Sequence, residues 1–192
     1  MFTVKLDAYG SIDRYKARLV AKGYTQKYRV DYQETFAPVA KMNTIRILIS
    51  ITVNRDWVLQ QFDVKNAFLN GDLEEEVYME LPPRVKIRSS CETEVCKLKK
   101  ALYGLKQSPR AWFGRFSSTM KEFGYKQSNS DHTLFIKHKG GKVTTLIVYV
   151  DDMVLTGDDP EERNALQQFL ALKFEMKDLG QLKYFLGIEV SR

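Results

Sequence analysis

The segment Thr144-Thr145-Leu146-Ile147-Val148-Tyr149-Val150-Asp151-Asp152-Met153-Val154-Leu155-Thr156-Gly157 is the most apolar in the chain, and two adjacent carboxylates sit at its middle. An apolar run rich in β-branched residues reads as a buried strand. A buried strand does not tolerate two unpaired ions, because desolvating them costs more than the strand's packing returns. The run is also too short and too interrupted for the roughly 18 apolar residues of a membrane span. The arrangement that satisfies both constraints is a β-hairpin, 146–150 and 153–156, with Asp151-Asp152 at its tight turn. Such a tip is either an idle, solvated Asp-Asp turn or part of a site. The remainder of the chain decides between them.

A length of 192 residues suits one domain, and a 44% apolar share is enough for a real core. No run approaches a membrane span, and the start, Met1-Phe2-Thr3-Val4-Lys5, lacks the apolar region of a signal peptide. The expectation is a soluble intracellular domain with no membrane partner. Charge is unevenly spread. Residues 1–30 carry seven Lys/Arg against two Asp, whereas residues 151–192 carry five Lys/Arg against nine Asp/Glu. A basic beginning and an acidic far end suit a polyanionic ligand on one side and metal on the other, although scattered surface charge gives the same totals. Cys91 and Cys96 do not have zinc-knuckle spacing and are expected to be reduced thiols.

Alternation predicts a first hairpin, 2–6 and 15–21, on whose return strand Lys16 and Arg18 share a face. A helix follows over about 44–54, with Ile45, Leu48, Ile49 and Val53 inward and Asn43 or Thr44 as N-cap. A strand over 57–64 turns Val58, Phe62 and Val64 to one side and Asp63 to the other, before a turn or short helix over 65–71. Residues 80–94 read as a surface loop. Ser108-Pro109 opens a strong helix, Ser108 as N-cap, with Trp112, Phe116, Met120 and Phe123 as its core stripe and Gly124 as its stop. After the Asp-Asp hairpin, Asp159-Pro160 starts a helix that turns Leu166, Phe169 and Leu170 inward, and 182–190 alternates as a final strand.

One acid on an early strand and a pair on a later hairpin form a sparse constellation that an antiparallel sheet can bring to one edge. Three crowded carboxylates repel, so a cation must hold them, and hard oxygen donors suit Mg²⁺, with Mn²⁺ also possible. Two such ions clamp the attacking and leaving oxygens of an in-line phosphoryl displacement. The Lys/Arg of 1–30 and of 97–110 would neutralise a triphosphate and a nucleic-acid backbone. A two-metal nuclease fits less well, because no general base accompanies the acids.

Four blocks carry a family resemblance: Tyr15-Lys16-Ala17-Arg18-Leu19-Val20-Ala21-Lys22-Gly23, Phe62-Asp63-Val64-Lys65-Asn66-Ala67-Phe68-Leu69-Asn70-Gly71, Leu102-Tyr103-Gly104-Leu105-Lys106-Gln107-Ser108-Pro109-Arg110-Ala111-Trp112, and Tyr149-Val150-Asp151-Asp152. In content and order they resemble the reverse transcriptase of copia-type (pseudoviral) LTR retrotransposons. The resemblance implies an α+β right-hand polymerase palm, an antiparallel sheet backed by helices, with a fingers subdomain. Fingers would take about 1–56 and 72–107 and palm about 57–71 and 108–192, with thumb and ribonuclease H absent from this stretch. It implies an RNA-directed DNA polymerase that adds dNMPs to a primer 3′-hydroxyl. Asp63 and Asp151 would ligate both metals, Asp152 would be the third carboxylate, and the Val64 carbonyl would complete a metal shell.

For the nucleotide, the resemblance implies Lys16, Arg18, Phe68, Tyr103, Gly104 and Lys106. The Phe68 ring would exclude a 2′-hydroxyl and so select dNTPs, though Phe68 could also be plain core and Tyr103 plain packing. Tyr149, Leu186 and Gly187 would touch the primer. Implied partners are an RNA or DNA template with primer, dNTPs, and the rest of a retrotransposon polyprotein (thumb, ribonuclease H, integrase), in a cytoplasmic virus-like particle with a nuclear phase. An inactive nucleic-acid-binding remnant is the rival. The sequence departs from the family where Arg29 replaces the usual glycine before Val30-Asp31-Tyr32, and where Arg84-Val85 replaces a Gly-Phe.

Overall fold

The computed structural model describes residues 1–82 and 94–191. In chain order the elements are β1 (Phe2–Leu6), β2 (Ile12–Ala17), α1 (Met42–Arg55), β3 (Gln60–Val64), β4 (Asp72–Glu80), β5 (Val95–Lys100), α2 (Ser108–Glu122), β6 (Lys126–Gln127), β7 (Leu134–Lys139), β8 (Lys142–Tyr149), β9 (Asp152–Gly157), α3 (Pro160–Lys173), β10 (Met176–Gln181), β11 (Tyr184–Phe185) and β12 (Ile188–Glu189). Short 3₁₀ turns occupy Gly23–Thr25 and Ala67–Asn70. The expected surface loop falls largely outside the described residues, as do Cys91 and Arg84-Val85. Cys96 is a free thiol.

Six antiparallel strands form the main sheet in the order β10-β3-β9-β8-β7-β6. Its two faces explain why 144–157 is apolar throughout rather than alternating. Leu146, Val148, Met153 and Leu155 enter one core with Trp112, Phe116 and Met120 of α2 and Leu166 and Leu170 of α3. Ile147 and Val154 enter a second core with Ile45 and Leu48 of α1 and with Leu182 and Phe185. A strand covered on both sides needs apolar residues at every position. Phe116, Phe135, Met120 and Leu146 are fully buried, and each such side chain contributes about 1.5–3 kcal/mol of transfer free energy. The protein is thus α+β, an antiparallel sheet backed by helices.

Several local expectations change. The Asp-Asp hairpin turns at Val150-Asp151, and Asp152 already pairs with Tyr149 in the ladder. Residues 182–190 form the β11–β12 hairpin instead of one strand, because Leu186 (φ 47°) and Gly187 (φ 85°) take left-handed conformations that close a two-residue turn. On α1, Thr52 is buried and Val53 exposed. The first turn of α1 is met from across the chain: the Asp131 carboxylate accepts from the Lys41 N–H at 2.9 Å, and neither Asn43 nor Thr44 is the N-cap. Ser108 is inside its helix rather than capping it, and its hydroxyl donates to the Leu102 carbonyl at 2.7 Å. The return strand β2 ends at Ala17, so Arg18 lies just past it.

Arg29, at the position where the family pattern has glycine, sits at φ 65°. A left-handed residue with a Cβ costs about 1–2 kcal/mol, against about 0.5 kcal/mol from its exposed guanidinium over the Tyr28 ring. Arg29→Gly is therefore expected to stabilise the fold by about 0.5–1 kcal/mol, read as a Tm rise of about 1–4 °C. Arg29→Ala keeps the strain and loses the ring contact, so its Tm should fall. Equal Tm values for the two variants would show that the backbone at 29 is unstrained.

Candidate active site

Asp63 and Asp152 are direct cross-strand partners on β3 and β9, with Phe62 opposite Met153 beside them. Phe62, Val64 and Met153 are held in the α2–α3 core, so strand alternation turns Asp63 and Asp152 to the other face of the same strand ends. The carboxylates meet at one end of two inner strands, not on an outer strand of the sheet. The adjoining turn is pinned twice. The Val64 N–H donates to the Asp151 carbonyl at 2.8 Å, and the Trp112 indole N–H donates to the Val150 carbonyl at 2.7 Å. Val150, a β-branched residue, is at φ 55°, a conformation such residues adopt only when their surroundings impose it.

Two of the three carboxyls, Asp151 and Asp152, are held above their ordinary range, in both cases first by burial. Burial pushes the Asp151 carboxyl above its ordinary range and the neighbouring Asp63 charge adds to this; the Asp151 N–H, Arg18 and Lys16 pull the other way without prevailing. Asp152 is pushed up by burial and then by Asp151 and Asp63, opposed by the Gln61 side-chain amide at 3.5 Å. Among the described residues no three His, Cys, Asp or Glu side chains are drawn together closely enough to grip a metal ion by themselves. All three side chains are hard oxygen donors, which fits a Mg²⁺-like ion. Such an ion keeps several waters and takes one or two carboxylates plus substrate phosphates, so it requires no closed protein cage.

Around the carboxylates, the Phe68 and Tyr103 rings stand 4.8 Å apart, tilted by 50°. The Arg18 guanidinium lies over the Tyr103 ring at 5.6 Å. The Tyr103 hydroxyl is pushed up by burial and by the Asp151 and Asp63 charges, with Arg18 opposing, so it shares their field. The Nε of Arg18 is buried without a hydrogen-bond partner among the described residues, an unsatisfied donor beside the acids. Lys16, Arg18, Phe68 and Tyr103 therefore border the same space as Asp63 and Asp151.

Gly104 and Lys106, the other two residues implied for the nucleotide, make close contacts within the chain. The backbone at Gly104 is pressed against Val20 and Ala21. The Lys106 ammonium donates to the Gln26 carbonyl at 3.0 Å and covers the Tyr32 ring at 5.0 Å. Tyr149, opposite Asp152, packs with Leu186 on the second core, and Gly187 completes the neighbouring turn.

Three contributors escape sequence reasoning. Gln61 touches Asp152. Gln107, almost fully buried, accepts from the Gln26 side chain at 2.9 Å and donates to the Asp31 carbonyl at 2.9 Å. Trp112, read as core stripe, also uses its N–H. Nothing in spacing or composition marks a glutamine or an indole as a bridge between segments 38 to 91 residues apart. The nearest signal is the run Lys106-Gln107-Ser108 placed directly before a helix-opening proline.

A sequence model of the family described as reverse transcriptase (RNA-dependent DNA polymerase) matches residues 1–192. The chain is 47% identical over 192 residues to the retrovirus-related Pol polyprotein from transposon RE1 of Arabidopsis thaliana, covering all of this chain and 13% of that protein. It is 43% identical over 193 residues to the corresponding polyprotein from transposon TNT 1-94 of Nicotiana tabacum, covering all of this chain and 14% of that one. A putative transposon Ty5-1 protein of Saccharomyces cerevisiae is 31% identical over 128 residues, 67% of this chain and 41% of that protein. No solved structure matches. The chain thus spans about one-seventh of the length of the plant polyproteins it matches, and among its described residues no helix is long and apolar enough to cross a membrane. With the four sequence blocks folded into one acidic strand end and its aromatic, cationic border, the chain belongs to the reverse transcriptase family of copia-type retrotransposon Pol polyproteins.

Proposed function

We propose that this chain is the nucleotidyl-transfer core of an RNA-directed DNA polymerase, joining a dNMP to a primer 3′-hydroxyl on an RNA or DNA template with release of pyrophosphate. The observation that carries this reading is the in-register pairing of Asp63 with Asp152 beside the Asp151 turn, with Arg18 and the Phe68–Tyr103 pair on its border. Asp63, Asp151, Asp152 and the Val64 carbonyl would hold two divalent ions, Mg²⁺ or Mn²⁺, which when bound would supply Lewis-acid activation of the 3′-hydroxyl and charge neutralisation at the α-phosphate. Lys16 and the Arg18 guanidinium face the triphosphate. Tyr103 lies beside the nucleotide, and Phe68 limits the space at C2′. Tyr149, Leu186 and Gly187 guide the primer end.

In this reading the two fingers segments (about 1–56 and 72–107) meet each other along the seam of Gly104 and Lys106, and the palm takes about 57–71 and 108–192. The thumb, ribonuclease H and integrase of a parent polyprotein are its partners, within a virus-like particle. The test is extension of oligo(dT) on poly(rA) with Mg²⁺ or Mn²⁺, alongside filter binding of the same duplex. Extension that requires Asp63 supports the polymerase. Duplex binding with no Asp63-dependent extension makes the chain a nucleic-acid-binding remnant instead.

Shape, not hydrogen bonding, is what Phe68 contributes to sugar choice. Phe68→Ala is therefore expected to lower discrimination between dATP and ATP on oligo(dA)-primed poly(rU) on the order of 10²-fold, with dATP KM changed far less. Unchanged discrimination would return Phe68 to the core.

A further inference from the structure

Three segments that border the site rest on the first turns of α2. Gly71, which ends the 3₁₀ turn carrying Phe68, has so little room that a Cβ there would lie 2.7 Å from the Trp112 backbone nitrogen. The Ser108 hydroxyl holds the Leu102 carbonyl, next to Tyr103, at 2.7 Å. The Trp112 indole N–H holds the Val150 carbonyl at 2.7 Å. Trp112 is only 2% exposed, and its ring is fixed edge-on against Phe174 at 5.1 Å and tilted against Phe116 at 5.5 Å. The donor is thus rigid, while its acceptor belongs to a turn in a costly conformation, Val150 at φ 55°. A packed ring of this size needs no polar partner to fill the core. Its one polar atom is spent on the peptide that precedes Asp151.

We propose that Trp112 is a positioning residue. Its N–H holds the Val150-Asp151 turn in the left-handed conformation and so sets where the Asp151 carboxylate stands relative to Asp63 and Phe68. The Val64 N–H on the Asp151 carbonyl is the second point of attachment, so each of the two turn peptides is tied to a different element, α2 and β3. The indole of α2 and the end of β3 together fix the turn against the pull of its own backbone preference. The consequence for metal binding rests on the polymerase reading; the consequence for the turn does not.

Two variants of the full chain remove the donor: Trp112→Phe, and benzothienylalanine at 112, which keeps the bicyclic shape and replaces N–H by sulfur if the phenylalanine fails to fold. Amide exchange at Val64 and at 150–152 is expected to rise at least about 10-fold while amides of β7 stay within about twofold, the pattern of local rather than global opening. Mn²⁺ affinity, read from the loss of the free-ion EPR signal, should fall about 5–10-fold. Unchanged exchange at 64 and 150–152, or a uniform rise across the protein, overturns the proposal by reducing Trp112 to core packing. Mn²⁺ binding equal to that of the parent chain overturns its link to the carboxylate. A parent chain that binds no Mn²⁺ sinks the polymerase reading, and the turn clamp is then decided by the exchange data alone.

Discussion

Asp151→Asn is expected to abolish primer extension, on the order of 10³-fold or more, which is the scale of removing one preorganised charge from a reaction centre, and yet to make the metal-free protein more stable. The two effects have one cause. Burial and the nearby Asp63 raise the Asp151 carboxyl, and Asp151 and Asp63 in turn help raise Asp152. A carboxyl whose folded value is raised binds its proton more tightly in the native state. The metal-free fold is therefore favoured below the ordinary value of about 3.9 and loses that advantage as pH rises through the elevated folded values.

Above those values the carboxylate at 151 carries the cost of its burial and of the neighbouring Asp63 charge, and an amide at 151 relieves it. In EDTA at pH 7 the Tm of Asp151→Asn should exceed that of the parent by a few degrees, at about 2–4 °C per kcal/mol for a domain of this size. The gap should narrow as pH falls towards the carboxyl range. Saturating Mn²⁺ should close or reverse the gap, because only the parent gains the full stabilisation from ligand linkage. Extension that survives the substitution would remove Asp151 from the metal centre. A lower Tm in EDTA at pH 7 would show that the carboxylate already has its partner in the metal-free fold.

What the sequence makes legible follows the range of the forces involved. The Asp-Asp hairpin, α2 and α3 are readable because their causes are local: β-branched runs, Ser108-Pro109, Asp159-Pro160 and apolar spacing. The β4–β5 hairpin is harder, since Leu73, Val77 and Met79 alternate among five acids and its edges are tied by the Glu76–Lys97 and Asp72–Lys100 ion pairs. Strand β10, Met-Lys-Asp-Leu-Gly-Gln, is polar and almost fully exposed. It exists because β3 offers a free edge, which no window of its own residues reveals. The α1 cap is invisible for the same reason, Asp131 lying 90 residues from Lys41. Of the candidate site, the acids stand out by residue type and the aromatic–cationic border through the family resemblance, whereas Gln107, through both ends of its amide, and Trp112, through its one N–H, act on partners that only the folded chain brings to them.

The seam between the N-terminal segment and residues 103–106, just ahead of α2, gives the largest expected loss of stability. Gly104 is at φ 93°, and a Cβ there would lie 2.1 Å from the Ala21 carbonyl oxygen and 2.8 Å from Val20 Cγ1. From the other side, a Cβ on Gly23 would lie 1.8 Å from the Gly104 carbonyl oxygen. The atoms in the way are mostly backbone, so no rotamer change clears them. The same few residues carry the Ala21 N–H bond to the Tyr103 carbonyl at 2.7 Å and the Lys106 N–H bond to Gln26 Oε1 at 2.8 Å, with Ala21 and Leu105 packed against Val77 beneath.

Gly104→Ala must therefore part the seam, losing these bonds as well as meeting the left-handed penalty. The expected cost is about 3–5 kcal/mol, a Tm drop on the order of 10 °C. Gly10→Ala supplies the control, since Gly10 is at φ 83° with open space around its Cβ position and meets the conformational penalty alone, about 1 kcal/mol. Urea melts of the two variants separate overlap from strain. Because Tyr103 is attached through the seam, Gly104→Ala should also raise dNTP KM more than it lowers kcat. Equal losses in the two glycine variants would mean that the Val20–Ala21 backbone yields freely, and that Gly104 serves only to turn the chain.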